Sequence, residues 1–463
     1  MSKIGSMRNL LASSLGVTCA AALALPMTLP ATEAAAIPAK AVSGTPPARA
    51  DGTGIPGSTQ SLPLAPITDE RDLGSAAAGL SPRSVRPFSL VGVIWDDPTV
   101  ELNGRVQVRT RSVGTGTWSD WQDLETHNTD HAPDADTDER TSGRVRGATA
   151  PLWVGDSDGV EVLVRAVEPT RAGAAPLPAG LRLELVDPGA ETAVEPPARH
   201  TPDDPPLTEL LSPEVAEASA PNSELAPLGA ALIPALDQAQ SQKELLTLQA
   251  AVLTDEQKLK PYIGPRPAIV TRRGWGADET LREKEFSYTK SVKAAFVHHT
   301  ATGNNYTCAQ APSVIRGIYR YHVKSMGWRD IGYNFLVDKC GNIYEGRAGG
   351  VAKPVMGAHT LGFNSDSMGI AAIGTFNSAG PTSTTVTAVS QLSAWKLGLF
   401  AGNPGGKTYL KSAGGNLYAK GKNVRLNVIS GHRDGFSTDC PGALLYGKLG
   451  SIRTQAARFQ GRP

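Results

Sequence analysis

The sequence predicts two folded regions in series: an all-β, sandwich-like module over residues 86–190, and an α/β domain with a mixed sheet flanked by helices over residues 263–455. Three observations lead there. Across the first region, β-forming residues alternate or cluster in short runs. Across the second, strand-like runs alternate with helically spaced ones. Two stretches rich in Ala and Pro, 37–85 and 191–262, set the regions apart. A chain of 463 residues has room for two or three domains at roughly 100–200 residues each.

The β-rich module rests on Phe88–Trp95, Gly104–Arg111, Val160–Arg165 and Leu181–Leu185, separated by Gly, Asp and Pro. It carries Trp95, Trp118, Trp121 and Trp153. Aromatic side chains bring large buried areas, so these read as core or turn packing, with a sugar-stacking surface as the functional alternative. The run Asp134-Ala-Asp-Thr-Asp138 has the opening alternation of a calcium loop. Glu139 stands where the turn glycine belongs, and Val145 stands where the closing glutamate belongs. A solvated acidic loop is the expectation. Residues 37–85 read as a disordered lead-in, and 191–262 as a linker with one amphipathic helix near Leu245–Val252.

In the C-terminal region, Ala294–Val297, Tyr333–Val337, Ile343–Tyr344, Met368–Ile373 and Val424–Ile429 read as strands. Ser313–Lys324 has helical spacing through Val314, Ile318 and Tyr321. Val386–Phe400 has it through Leu392, Trp395 and Leu399. Of the eight histidines, His298, His299, His322, His359 and His432 fall here. Imidazole and thiolate are the ligands zinc prefers, which makes a metal site the natural hypothesis. Successive strand residues face opposite sides, so only one of His298 and His299 can serve a given site. The turn-rich segment from Gly431 to Pro441 can fold back and present His432 and Cys440 together. Two donors from one loop and one from a remote strand leave a fourth tetrahedral position open, as in a catalytic site.

The N-terminus reads as a secretory signal over residues 1–36. Lys3 and Arg8 precede an apolar run from Leu10 to Leu29, and Ala34-Ala35-Ala36 offers a cleavage site. A membrane anchor is the competing reading, disfavoured by Pro26 and Pro30. No later stretch approaches the ~20 apolar residues of a spanning helix, so an exported chain without a membrane span in its mature form is expected. Export favours disulfides among its cysteines. The formal net charge of +1 gives no basic field of the kind that draws nucleic acid.

From Ile269 to about Leu449 the chain resembles the type-2 N-acetylmuramoyl-L-alanine amidases and peptidoglycan-recognition proteins. The resemblance is carried by Arg273-Gly-Trp-Gly276, Phe296-Val-His-His-Thr300, Trp328-Arg-Asp-Ile-Gly-Tyr-Asn-Phe335, Ile343-Tyr-Glu-Gly-Arg347 and Gly357-Ala-His-Thr360. Asn364 through Ile370, Gly431-His-Arg-Asp434 and Thr438-Asp-Cys-Pro441 complete it. It implies a Zn2+ ion held by His298, His432 and Cys440, with His299 facing away. It implies catalytic roles for Tyr333 and Thr438, the latter at a position where some relatives carry lysine. His359 and Asn364 match positions near the substrate cleft; His322 reads as structural. The implied reaction is hydrolysis of the amide between N-acetylmuramic acid and L-alanine in peptidoglycan. The implied partner is the muropeptide stem and its glycan, met by a secreted, wall-associated monomer. Members that bind peptidoglycan without cutting it typically lack the cysteine ligand, which is present here as Cys440; that binding role is the alternative. With Cys440 assigned to zinc by the resemblance, Cys308 and Cys340 are left as the expected disulfide, a departure from the close-spaced pair of many animal relatives. The stretch Ala348–Lys353 lacks the aromatic residue with which some relatives read the third stem residue, so the resemblance assigns no stem type.

Overall fold

In the computed structural model, which describes residues 57–67, 77–166, 176–190, 211–251 and 253–463, the alternating runs of the first region pair into one antiparallel sheet. Its strands are β1 (Ser58–Pro63), β2 (Ala65–Pro66), β3 (Ala77–Trp95), β4 (Gly104–Ser112), β5 (Gln122–Leu124), β6 (Gly147–Ala148), β7 (Leu152–Ala166) and β8 (Arg182–Asp187). The order is β1-β8-β3-β7-β4-β5, with β2 and β6 added onto β3. One helical turn, α1 (Asp138–Thr141), lies in the long connection between β5 and β6. The end of β3 is buried on both faces, which is why Phe88–Trp95 reads as a nearly unbroken apolar run. Val91, Val93 and Trp95 face the module's own core with Val106 and Val162. Leu90 and Ile94 face outward into a second cluster, shared with the C-terminal domain.

Two expectations are corrected. The stretch 37–85 is not disordered throughout: β1 pairs along its full length with β8, and residues 77–85 open β3. Ladder hydrogen bonds do not depend on side-chain type, and Leu62, Leu80 and Val85 pack on the core despite a Pro- and Ser-rich setting. The described part of 191–262 is not a linker either. It folds as α2 (Pro213–Ser219), β9 (Leu232–Ile233), α3 (Gln238–Gln249) and α4 (Asp255–Leu259). Leu225, Ile233, Leu245 and Leu253 join the C-terminal core, whereas Leu232, Leu246 and Leu259 stay exposed. The signal expected at 1–36 lies outside the described residues, and no described helix is long and apolar enough to cross a membrane.

The C-terminal domain is a mixed seven-stranded sheet. Its further strands are β10 (Ile269–Val270), β11 (Ala294–His299), β12 (Phe335–Val337), β13 (Ile343–Glu345), β14 (Ser367–Ala372) and β17 (Ile429–Gly431), ordered β17-β11-β14-β12-β13-β10-β9. β11 runs parallel to both β14 and β17. The single strand expected over Val424–Ile429 is split. Its first part, β16 (Asn423–Asn427), forms a hairpin with β15 (Lys407–Lys411), and only its end enters the main sheet as β17.

Helices α6 (Ser383–Gly398) and α8 (Leu449–Phe459) cover one face of this sheet, and the short α7 (Ala443–Tyr446) precedes α8. Leu392 and Trp395 of α6 meet Val297, Phe335 and Ile370 there. The other face receives α5 (Ala311–Arg320), which is buried on nearly every side. All-round burial requires two partners. Leu336 and Ala371 of the sheet lie on one side of α5; Leu90, Ile94, Trp153 and Val186 of the β module join the same cluster. Both regions belong to one compact unit. A π-helical turn, Tyr321–Ser325, continues α5, and Tyr321 donates its hydroxyl to the Thr149 carbonyl at 3.1 Å.

Cys308 and Cys340 are joined in a disulfide that closes a separation of 32 residues. Replacing both by alanine is expected to lower unfolding stability by roughly 3–4 kcal/mol from loop entropy, read by chemical denaturation; an unchanged midpoint would refute this. At Gly92 an added Cβ would collide with the Tyr321 hydroxyl. Gly92→Val is therefore expected to cost about 1–3 kcal/mol by overpacking, read as a lower Tm.

Candidate metal centre

Two parallel strands set the site. β11 ends at His298-His299, and its neighbour β17 ends at Gly431, immediately before His432. Parallel strands bring their carboxyl ends to the same edge, where sites in such sheets form. The His298 and His432 ring centroids are 4.5 Å apart. The chain then folds back in a tight loop. Gly435 and Phe436 donate to the His432 carbonyl, and Arg433 donates to the Cys440 carbonyl at 3.1 Å. This returns Cys440 to β11: its Sγ accepts the His299 N–H at 3.4 Å and lies 3.7 Å from His298 Nδ1.

A fourth residue completes the group. His131, from the β5–β6 connection of the β module, places Nε2 3.7 Å from Cys440 Sγ. Donor atoms of His131, His298, His432 and Cys440 all lie within 4.8 Å of one another. Zinc bonds of ~2.3 Å to sulfur and ~2.0–2.1 Å to nitrogen, at tetrahedral angles, imply a sulfur-to-nitrogen separation of about 3.6 Å. The two 3.7 Å spacings fit that. Both ring nitrogens of His432 are buried without a hydrogen-bond partner. Buried polar atoms are rarely left so, and a cation among these donors would satisfy one of the two.

The neighbours orient the rings. Thr360 Oγ1 lies 3.3 Å from His298 Nε2 and 3.0 Å from His359 Nδ1, which leaves His298 Nδ1 facing the sulfur. Asp130 Oδ1 lies 3.1 Å from His131 Nδ1, which leaves Nε2 for the centre; its Oδ2 is 3.6 Å from His432 Nδ1. Burial pushes the His298 imidazole well below its usual range, helped by His432. Burial likewise takes His432 down to about 3 against the opposing pull of Asp130. Both rings are thus neutral and able to donate a lone pair. Burial and the Asp130 charge push the Cys440 thiol up, so a metal must displace its proton on binding.

The other expected site residues distribute as follows. His299 lies outside the donor group, and His322 accepts the Gly332 N–H and stacks on Trp328. Tyr333 packs 5.7 Å from the His298 ring, and burial raises its phenol well above the usual range. Thr438 Oγ1 accepts the Cys440 N–H at 3.1 Å. His359 is fully buried against Phe296 and His298. Asn364 accepts the His359 and Thr360 N–H groups and donates to the Ala132 carbonyl and Asp134. Its partners are protein groups of both regions.

The acidic run at Asp134–Asp138 is corrected: it is not wholly solvated. Asp134 is buried and accepts from Gly362 N–H and Asn364, and neighbouring Glu139 is buried against Arg347. Only Asp136 keeps an exposed pairing, with Lys420. Trp95 and Trp153 are core, whereas Trp118 and Trp121 are exposed and flank the Arg109 guanidinium. Sequence reasoning missed Asp130, His131 and Thr360 as functional residues. The only local signal for the first two is the Asp-His pair itself.

Comparison with known proteins gives two family matches. Residues 47–198 match the family described as Rv3811 N-terminal galactose-binding domain-like, and residues 288–443 match the N-acetylmuramoyl-L-alanine amidase family. Peptidoglycan-recognition protein SC2 of Drosophila simulans is 32% identical over 39% of this chain and 84% of its own length. Peptidoglycan-recognition protein 2 of Holotrichia diomphalia is 34% identical over 40% of this chain and 86% of its own. Among solved structures, the endolysin amidase LysCS of Clostridium intestinale is 25% identical, with a TM-score of 0.29 over 40% of this chain and 93% of that one. On its sequence likeness to the recognition proteins, the chain belongs to the type-2 N-acetylmuramoyl-L-alanine amidase and peptidoglycan-recognition protein family.

Proposed function

We propose that this chain is a zinc-dependent N-acetylmuramoyl-L-alanine amidase, exported and acting on peptidoglycan at the cell wall. The observation that carries the reading is Cys440, a buried thiol set against His298 and His432. One sulfur and two imidazoles from the C-terminal domain are a three-donor set, the number that leaves a catalytic ion one position for chemistry. When bound, zinc supplies Lewis acidity toward the scissile carbonyl and the attacking water.

The chain's own residues supply orientation and hydrogen bonding. Thr360 aims His298, and Thr438 pins the backbone beside Cys440. Burial keeps the Tyr333 phenol protonated. It can therefore donate to the amide oxygen as negative charge develops, with Thr438 lining the same side. Water adds to the lactyl carbonyl, the C–N bond breaks, and the L-alanine amine leaves with a proton. A non-catalytic, peptidoglycan-binding role is the second reading. It is favoured by the full burial of the donors behind a fourth imidazole.

Zinc-loaded protein incubated with purified peptidoglycan is expected to release new L-alanine amino termini. Chelation or Cys440→Ala should abolish this; bound muropeptide without new amines would favour the second reading. Tyr333→Phe is expected to keep its zinc and lose roughly 100–1,000-fold in kcat, as for a missing oxyanion donor. Equal turnover in that variant would remove Tyr333 from the chemistry.

A further inference from the structure

The four donors come from two regions of the chain: three from the edge of the C-terminal sheet, and His131 from the β module, 309 positions before Cys440. Four protein donors close a tetrahedral ion and leave no position for water or substrate. His298 and His432 are 0% exposed and Cys440 is 2% exposed, so a peptidoglycan strand has no access to them in this conformation.

The segment that carries His131 does more than reach the donors. The Leu361 N–H donates to the Asp130 carbonyl at 2.9 Å, and Asp134 Oδ1 accepts the Gly362 N–H at 2.7 Å. Glu139 takes both outer nitrogens of Arg347, at 2.8 and 2.9 Å, and also accepts the Arg329 N–H. Glu139 thus holds the Arg347 guanidinium, a cation with which the carboxylate of a stem peptide could pair instead.

These contacts differ in kind from those that dock the module. The dock on α5 is apolar, built on Leu90, Ile94, Trp153 and Val186. Residues 130–139 contact the C-terminal domain through hydrogen bonds and ion pairs, Glu139 with Arg347 and Asp136 with Lys420, which water or a carboxylate ligand can replace, and Val145 at the end of the segment stays in the apolar dock. The segment can therefore lift while the module stays in place.

We propose that residues 125–146 are a built-in inhibitor. His131 is a fourth metal ligand, Glu139 and Asp134 clamp the segment onto the cleft, and the chain turns over only slowly, in the fraction of molecules whose segment has lifted, until the segment is displaced. This rests on the zinc-amidase reading, and the test separates the two. The full-length protein is loaded with Co2+, and its visible spectrum is followed on adding azide, a small ligand that needs an open coordination position. Amine release from peptidoglycan is measured in parallel on the zinc form.

The parent is expected to resist azide. His131→Ala is expected to bind azide with a clear band shift and to release amines at least tenfold faster. Glu139→Gln touches no donor atom and is expected to move both readouts in the same direction by a smaller factor. It carries the test if His131→Ala fails to fold. A parent that takes up azide as readily as its variants, at equal rates of release, overturns the inhibitor. Azide binding confined to the variants, with no amines from any protein, upholds the closure of the metal centre and removes the amidase reading.

Discussion

The parallel pairing of β11 with β17 is the contact on which the centre depends. Phe296 lies opposite Ser430 and Val297 opposite Gly431. This register brings both strands to their carboxyl ends within a residue or two of each other. A register slip of one residue would turn His298 to the other face and put His299 in its place. β14 on the far side of β11 fixes the same register, with Ala371 opposite His298. The small side chain there leaves room for the imidazole ring. The returning loop then needs only short-range hydrogen bonds to bring the sulfur back. A site of three remote residues is thus reduced to one strand pair and one turn.

Burial sets the character of this centre. With no water to share, imidazoles stay neutral and the thiol stays protonated. The unpartnered nitrogens of His432 are costly in that setting. Thr360 and Asp130 show how the surroundings limit the cost: each engages one nitrogen of a ring and leaves the other for the centre. The two come from different regions of the chain, so the orientation of the rings is itself a property of the docked whole.

Much of this was legible in the sequence because it is local or periodic. The apolar runs at Ala294–Val297 and Phe88–Trp95 give strands, and Leu392, Trp395 and Leu399 give the buried face of α6. His432 and Cys440 share one loop, and strand alternation separates His298 from His299. What escaped has no local period. β1 is a strand because β8 lies beside it, and β9 because β10 does. Asp134 and Glu139 look solvated by composition; their partners Gly362, Asn364 and Arg347 lie more than two hundred positions away. His131 was passed over for the same reason. Nothing within its own stretch of chain marks it as a neighbour of Cys440.

Helix α5 bears on how the chain can be divided. It has no solvent-exposed back: Val314, Ile315 and Ile318 are shared between the sheet and the β module, and Tyr321 hydrogen-bonds across the boundary. A C-terminal fragment cut after residue 190 would display this helix as an oily stripe, and the Tyr321 hydroxyl would lose its acceptors at Val93 and Thr149. Such a fragment would self-associate unless the outward residues were exchanged for charged ones. Shuffling this domain onto another partner therefore demands a redesigned helix surface rather than a new linker.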